Sequence, residues 1–227
     1  SNRIYIGADR SELFVCDRRS KRLHAVPGDS PKSCYAIEYN NKDGFYIGTF
    51  DGLYEFNERV QTFSRIYFTG DNTNIKSLKL DSHGILWIGK KNGITAIHKD
   101  DAKILDLPES LASVKYAEII MEDSRGIIWI GSRYGLYSYD PRSGSVGSYT
   151  EKDGLPHHVI HGIEEDRNGV LWISTDRGLC RFSPSTGDKL TFTTSDGLLD
   201  NRFTTYAHCR TKEGMLYFGS INGIVMF

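Results

Sequence analysis

The chain has 227 residues, with 28 Lys and Arg against 29 Asp and Glu, a formal net charge of −1, and 12% aromatic residues. Near-neutrality excludes a global pull toward nucleic acid or anionic membrane, and the aromatic content excludes a disordered chain. No apolar run approaches the ~20 residues of a membrane helix, and Ser1-Asn2-Arg3 leads straight into a strand-like Ile4-Tyr5-Ile6 with no signal-peptide pattern.

That opening stretch is the first copy of a phrase that recurs along the chain. Ile4-Tyr5-Ile6-Gly7 is followed by Gly44-Phe45-Tyr46-Ile47-Gly48, Gly84-Ile85-Leu86-Trp87-Ile88-Gly89, Gly126-Ile127-Ile128-Trp129-Ile130-Gly131, Gly169-Val170-Leu171-Trp172-Ile173-Ser174 and Gly214-Met215-Leu216-Tyr217-Phe218-Gly219. The aromatic anchors lie at 5, 46, 87, 129, 172 and 217, in steps of 41, 41, 42, 43 and 45 residues. Four residues past each small residue stands Gly52, Gly93, Gly135, Gly178 or Gly223, and only the first copy departs, with Ser11. A period of about 40–45 residues fits propeller blades or paired helices. Short β-branched and aromatic runs bounded by glycine read as strands, and no sustained 3.6-residue apolar period competes with them.

Turn chemistry agrees. Asp81-Ser82-His83-Gly84, Asp123-Ser124-Arg125-Gly126 and Asp166-Arg167-Asn168-Gly169 place Asp first and Gly fourth, the preference of a type I turn. Asp140-Pro141-Arg142-Ser143-Gly144 and Phe182 to Gly187 read as a second class of turn. One repeat then traces as strand A over Val159–Glu165, B over Val170–Ser174, C over Leu179–Ser183 and D over Lys189–Thr193; Ile75–Leu80 and Tyr116–Glu122 are further A strands. Four antiparallel strands per repeat make a propeller blade. The expected fold is an all-β propeller of six blade copies over residues 1–227, the first and last incomplete, forming a single propeller domain or a fragment of a seven-bladed one. The B-strand aromatics should pack between neighbouring blades, and Lys103–Leu111 fits no repeat phrase. Cys16, Cys34, Cys180 and Cys209 have no metal or redox spacing and read as buried free thiols.

The Asp-x-x-Gly-apolar-apolar-Trp-Ile-Gly pattern, with its later Gly-Leu, aromatic and Asp-Pro turn, resembles the two-component regulator propeller repeats. The likeness is tightest over residues 118–227, where Asp153-Gly154-Leu155 and Asp196-Gly197-Leu198 match the "DGL" phrase between blades. Proteins of that family are mainly hybrid sensor histidine kinases of Bacteroides-like bacteria, with two propellers and a β-sandwich outside the cytoplasm. The resemblance implies the later part of a second propeller in a periplasmic sensor region. It also implies a glycan-derived oligosaccharide ligand, a homodimer formed through the full ectodomain, membrane attachment only through segments outside this chain, and kinase activity in other domains. No cofactor, nucleic acid or catalytic residue is expected.

Ligand candidates follow from topology, because the B–C and D–A loops of a propeller emerge on one face. The B–C loops carry Arg10, Asp51, Lys90-Lys91-Asn92, Arg133-Tyr134, Asp176-Arg177 and Asn222; the D–A loops add Lys115, His157, His158, Asn201 and Arg202. Basic groups there would suit an acidic oligosaccharide, and Tyr134 could stack on a sugar ring. Hairpin loops are rich in charge in any case, so a solvated edge explains the same residues equally well. His157, His158 and His161 are not expected to bind metal, because alternation along a strand sends His158 and His161 to opposite faces. The run Glu164-Glu165-Asp166 likewise fails as a catalytic pair. A polysaccharide hydrolase or lyase and a protein-interaction propeller remain as alternatives. The first should show converging carboxylates or histidines, the second a large exposed apolar patch.

Overall fold

A computed structural model describes residues 2–67 and 74–227. The chain forms two compact units, Ser1–Asp106 and Leu107–Phe227. Among the described residues each unit is three antiparallel sheets in which every strand pairs with its neighbour in sequence.

In the first unit, β1 (Arg3–Ile6), β2 (Phe14–Asp17) and β3 (Leu23–Ala25) make one sheet. β4 (Ala36–Tyr39), β5 (Gly44–Gly48), β6 (Leu53–Asn57) and β7 (Thr62–Tyr67) make the second. β8 (Ile75–Leu80), β9 (Ile85–Lys90) and β10 (Gly93–His98) make the third. Its expected fourth strand is reduced to an isolated bridge, Ile97 to Ile104. That is the region that matched no repeat phrase.

In the second unit, the one-turn helix α1 (Glu109–Ala112) buries Leu111. The sheet of β11 (Ile119–Glu122), β12 (Ile128–Gly131), β13 (Leu136–Asp140) and β14 (Ser145–Tyr149) follows. Next come β15 (Ile160–Glu165), β16 (Leu171–Thr175), β17 (Gly178–Phe182) and β18 (Lys189–Phe192). Last are β19 (Phe203–Arg210), β20 (Leu216–Ser220) and β21 (Gly223–Met226). The traced repeat is right to within about a residue at each end. β11 is shorter than expected because Tyr116 takes a left-handed φ of 52°, which ends the extended run.

Each core is shared by two consecutive sheets, because one blade cannot cover its own apolar faces. Val15 of the first sheet, with Leu13 and Val26 beside its strands, meets Ile47 and Phe56 of the second, which in turn supplies Tyr46 and Leu53 against Ile75, Leu78 and Ile88 of the third. In the second unit Trp129 meets Leu155, Ile160, Ile173 and Phe182, with the Phe182 ring edge-on at 5.7 Å and 89°. The cysteines are all free. Cys34 and Cys180 are buried and their thiols are pushed up to about 11 by desolvation; Cys16 is only half-buried and Cys209 is exposed, which corrects the expectation of four buried thiols.

The recurrent residues have structural work. In three A–B turns an Asp Oδ1 accepts the backbone N–H groups two and four residues on, while Oδ2 accepts the indole N–H six residues on: Asp81 with Trp87, Asp123 with Trp129, Asp166 with Trp172. In the B–C hairpins a hydroxyl next to the small residue donates to the carbonyl of the second glycine: Thr49 to Gly52, Ser132 to Gly135, Thr175 to Gly178, Ser220 to Gly223. Gly178 has φ 113°, and a Cβ there would meet the Phe192 carbonyl oxygen at 2.3 Å, so no other residue fits.

Candidate functional site

In the second unit two side-chain positions recur in consecutive blades: a residue at the head of strand A and the B–C residue that follows the hairpin-closing hydroxyl of Ser132 or Thr175. In the blade of β11 these are Glu118 and Arg133. In the blade of β15 they are His161 and Asp176. Both are acid–base pairs, with the acid and the base exchanged.

Glu118 is buried, and Arg133 holds it through Nε and NH2, each 2.9 Å from Oε1. The Arg133 carbon Cζ lies 5.0 Å from the centroid of the Tyr116 ring, and Tyr134 meets the same ring edge-on at 6.0 Å. Tyr134 is 56% exposed, so this aromatic surface is open to solvent. Tyr206, at φ 66° in the irregular first half of β19, lies close enough to feel both charges. Desolvation of its hydroxyl, with the Glu118 carboxylate adding to it, raises that phenol well above its ordinary value, although the residue as a whole is half exposed.

His161 is buried. Its Nε2 lies 2.9 Å from Asp176 Oδ1 and its Nδ1 2.7 Å from Thr205 Oγ1. It can do this because the β15–β16 register shifts between Ile160 and Gly162, leaving His161 as the bulge residue. Strict alternation therefore does not describe this strand end. The other carboxylate oxygen of Asp176 is 3.8 Å from His157 Nδ1. His157 stacks on His158 at 4.2 Å and 25°. His158 Nδ1 in turn lies 2.6 Å from Glu151 Oε1, which also accepts the His158 backbone N–H at 3.1 Å. Burial, then the neighbouring His158, lowers the His157 pKa. The Glu151 carboxyl stays below its ordinary value: burial opposes this, but the turn amide and the bonds from His158 outweigh it.

The remaining candidates divide. Lys90 donates to Thr95 Oγ1 at 2.7 Å and its pKa is lowered by burial; Lys91 follows it, half-buried, in the turn. Asp51 is committed to Thr49, Tyr54 and Arg65. Asn201 closes its own loop, accepting the Thr194 N–H at 2.7 Å, and Asn222 donates to Asp200. Arg177, Arg202 and Lys115 are exposed. The loops are thus less basic than their Arg and Lys suggested, since Arg133 is matched by Glu118 and Asp176 stands beside Arg177. Sequence reasoning missed Glu118, Tyr116, Thr205, Tyr206 and Glu151. Their only signal is a shared register position or a turn one element away.

The family model described as "Two component regulator propeller" matches residues 154–177. This stretch resembles a two component regulator propeller repeat. The repeat runs from the Gly154-Leu155 link through β15 and β16 into the B–C loop, and so carries His157, His158, His161, Asp176 and Arg177. No curated protein matches the chain. Among solved structures, the extracellular domain assigned to the hybrid two component system BT3049 of B. thetaiotaomicron is similar at 23% identity and a TM-score of 0.87, over 99% of this chain and 32% of that one. The extracellular domain of BT4673, from the same organism, is similar at 21% identity and a TM-score of 0.81, over 100% of this chain and 31% of that one. Virginiamycin B lyase from Staphylococcus aureus is similar at 18% identity and a TM-score of 0.65, over 86% and 69%. These likenesses establish the β-propeller fold. The chain spans about a third of the two extracellular domains. Among the described residues no helix is long and apolar enough to cross a membrane.

Proposed function

We propose that this chain is a ligand-reading part of the extracytoplasmic sensor region of a hybrid two-component histidine kinase, and that it binds a glycan-derived oligosaccharide. The observation that carries the proposal is the open surface formed by Tyr116, Tyr134 and Arg133 over buried Glu118. A sugar presents a C–H face that packs on an aromatic ring and hydroxyls that need fixed donors and acceptors. Arg133, positioned by Glu118, offers the donors, and the Asp176–Arg177 loop offers both signs of charge.

The family repeat and the fold shared with extracellular domains of two-component systems support the sensor reading. Under it, the ligand shifts a homodimer of the ectodomain between signalling states by preferring one of them, and phosphoryl transfer belongs to domains beyond this chain. Because Arg133 is paired with Glu118, the exposed Arg177, Arg202 and Lys115 are the cations offered to an acidic sugar.

Isothermal calorimetry of the 227-residue chain and of the full extracytoplasmic region, against neutral and acidic oligosaccharides, tests this. Binding without turnover is expected, weakened about tenfold or more by Tyr134→Ala. Heat from no sugar overturns the glycan assignment, and product release points instead to the hydrolase or lyase alternative.

A further inference from the structure

We infer that Glu151, His157 and His158 form a binding site for a borderline transition-metal dication, Zn2+ in first instance, on the D–A loop of the second unit. Each residue offers one ligand atom, and the three atoms lie within 4.8 Å of one another. Two imidazoles and one carboxylate are a zinc ligand set, with the fourth position left to water; hard cations such as Ca2+ prefer all-oxygen shells.

The loop holds these groups in place before any ion arrives. Thr150 and Asp153 close a capping box around the 3-10 turn that carries Glu151, and Gly154 ends that turn at φ 91°. Leu155, buried in the core, anchors the chain just before the two histidines. Behind them stands Asp176, 3.8 Å from His157 and itself fixed by His161, which is fixed by Thr205. The His157 ring is oriented by its Nδ1, which accepts the Val159 N–H at 3.2 Å, a bond that ligation through Nδ1 would replace, while the Asp176 charge nearby favours a cation at the site.

The next blade supplies an internal control. Its corresponding turn, with Thr193 and Asp196 in the same capping box, is closed by Asn201 accepting from the Thr194 N–H. A neutral pair therefore suffices to close this loop. In the first loop the same span is closed by the Glu151 carboxylate accepting the His158 N–H, and the two stacked imidazoles are additional to that closure.

The expectation of no metal rested on the separation of His158 from His161; in the structure His161 bonds Asp176 and Thr205 while His158 meets Glu151. What the sequence concealed is that Glu151, seven residues before His158, folds back onto it.

The test is a calorimetric titration of the EDTA-stripped 227-residue chain with ZnCl2 in a non-chelating buffer, repeated with CaCl2. One Zn2+ per chain is expected, with Ca2+ silent. His157→Ala and His158→Ala should each weaken Zn2+ on the order of 100-fold, and Asp176→Asn about tenfold. His83→Ala, remote in sequence and in the other unit, should leave binding unchanged, and thermal melts of each variant report that the fold is kept. The inference is overturned if Zn2+ does not bind at micromolar concentrations, or if binding survives in the folded His157→Ala/His158→Ala double variant. Sugar binding is a separate readout, so either proposal can fail without the other.

Discussion

Two kinds of blade in this chain solve the same turn differently. In the blades of Trp87, Trp129 and Trp172 an Asp stands six residues before the indole, and its two oxygens are divided between the turn amides and the indole N–H. In the blade of β5 the aromatic is Tyr46 and the turn residue is Asn40. Asn40 Oδ1 still accepts the N–H groups two and four residues on, from Lys42 and Gly44, but its amide nitrogen donates to Glu55 at 2.9 Å. The amide acceptor is the constant. The carboxylate appears where a buried indole donor must be satisfied, and the neutral amide appears where a carboxylate is the neighbour. The repeated Asp residues are therefore accounted for by turn closure and indole capping, which leaves the histidines and the blade-head pairs as the chemistry not explained by architecture.

The largest effect is expected from removing the shared acceptor. Asp123→Ala strands two turn amides and the Trp129 indole, and should cost about 3 kcal/mol in urea denaturation; a loss below about 1 kcal/mol would show that water replaces the carboxylate easily. Exchanging the two solutions should cost less. Asn40→Asp keeps the turn acceptor but sets a second carboxylate against Glu55, for a loss of about 1–2 kcal/mol near neutral pH that shrinks once the pair can share a proton in acid. A pH-independent loss would mean that the missing amide donor, not repulsion, is responsible.

The smallest and most diagnostic effect is the acid limb of wild-type stability. Asp123 is desolvated, which alone would raise its pKa, but the bonds from Trp129, Arg125 and the turn amides outweigh this and hold it below the ordinary value. A depressed folded pKa means that the contribution is complete above the unfolded value of about 3.9 and is lost as pH falls through the lower folded value. Asp123→Asn should therefore be less stable than wild type at neutral pH and converge on it below about pH 4. Parallel curves down to the lowest pH would remove Asp123 from the acid response.

How far the sequence reached depends on the range of the interactions. Strand positions, both turn classes and the inter-blade role of Trp129 were legible because period-2 alternation, Asp–Gly turns and a 41–45-residue spacing are local or repeated signals. The same signals picked out the loops that hold Arg133, Tyr134, Asp176 and His157. They did not reveal whom those residues meet. Arg133 is paired with Glu118, 15 residues earlier, and no periodic signal in the sequence marks that partner. Asn201 closes its loop through Oδ1 on the Thr194 amide seven residues earlier, a partner that no local signal marks.

The sequence by itself determined the blade, because a blade is built from contacts between neighbours along the chain and is repeated often enough to be recognised. Only the tertiary structure decided the site. A bulge turned His161 inward, a left-handed residue cut β11 short at Tyr116, and a turn brought Glu151 back to His158. Each of these depends on which backbone groups are already paired, and a side chain's partner across strands leaves no periodic trace in the sequence that encodes it.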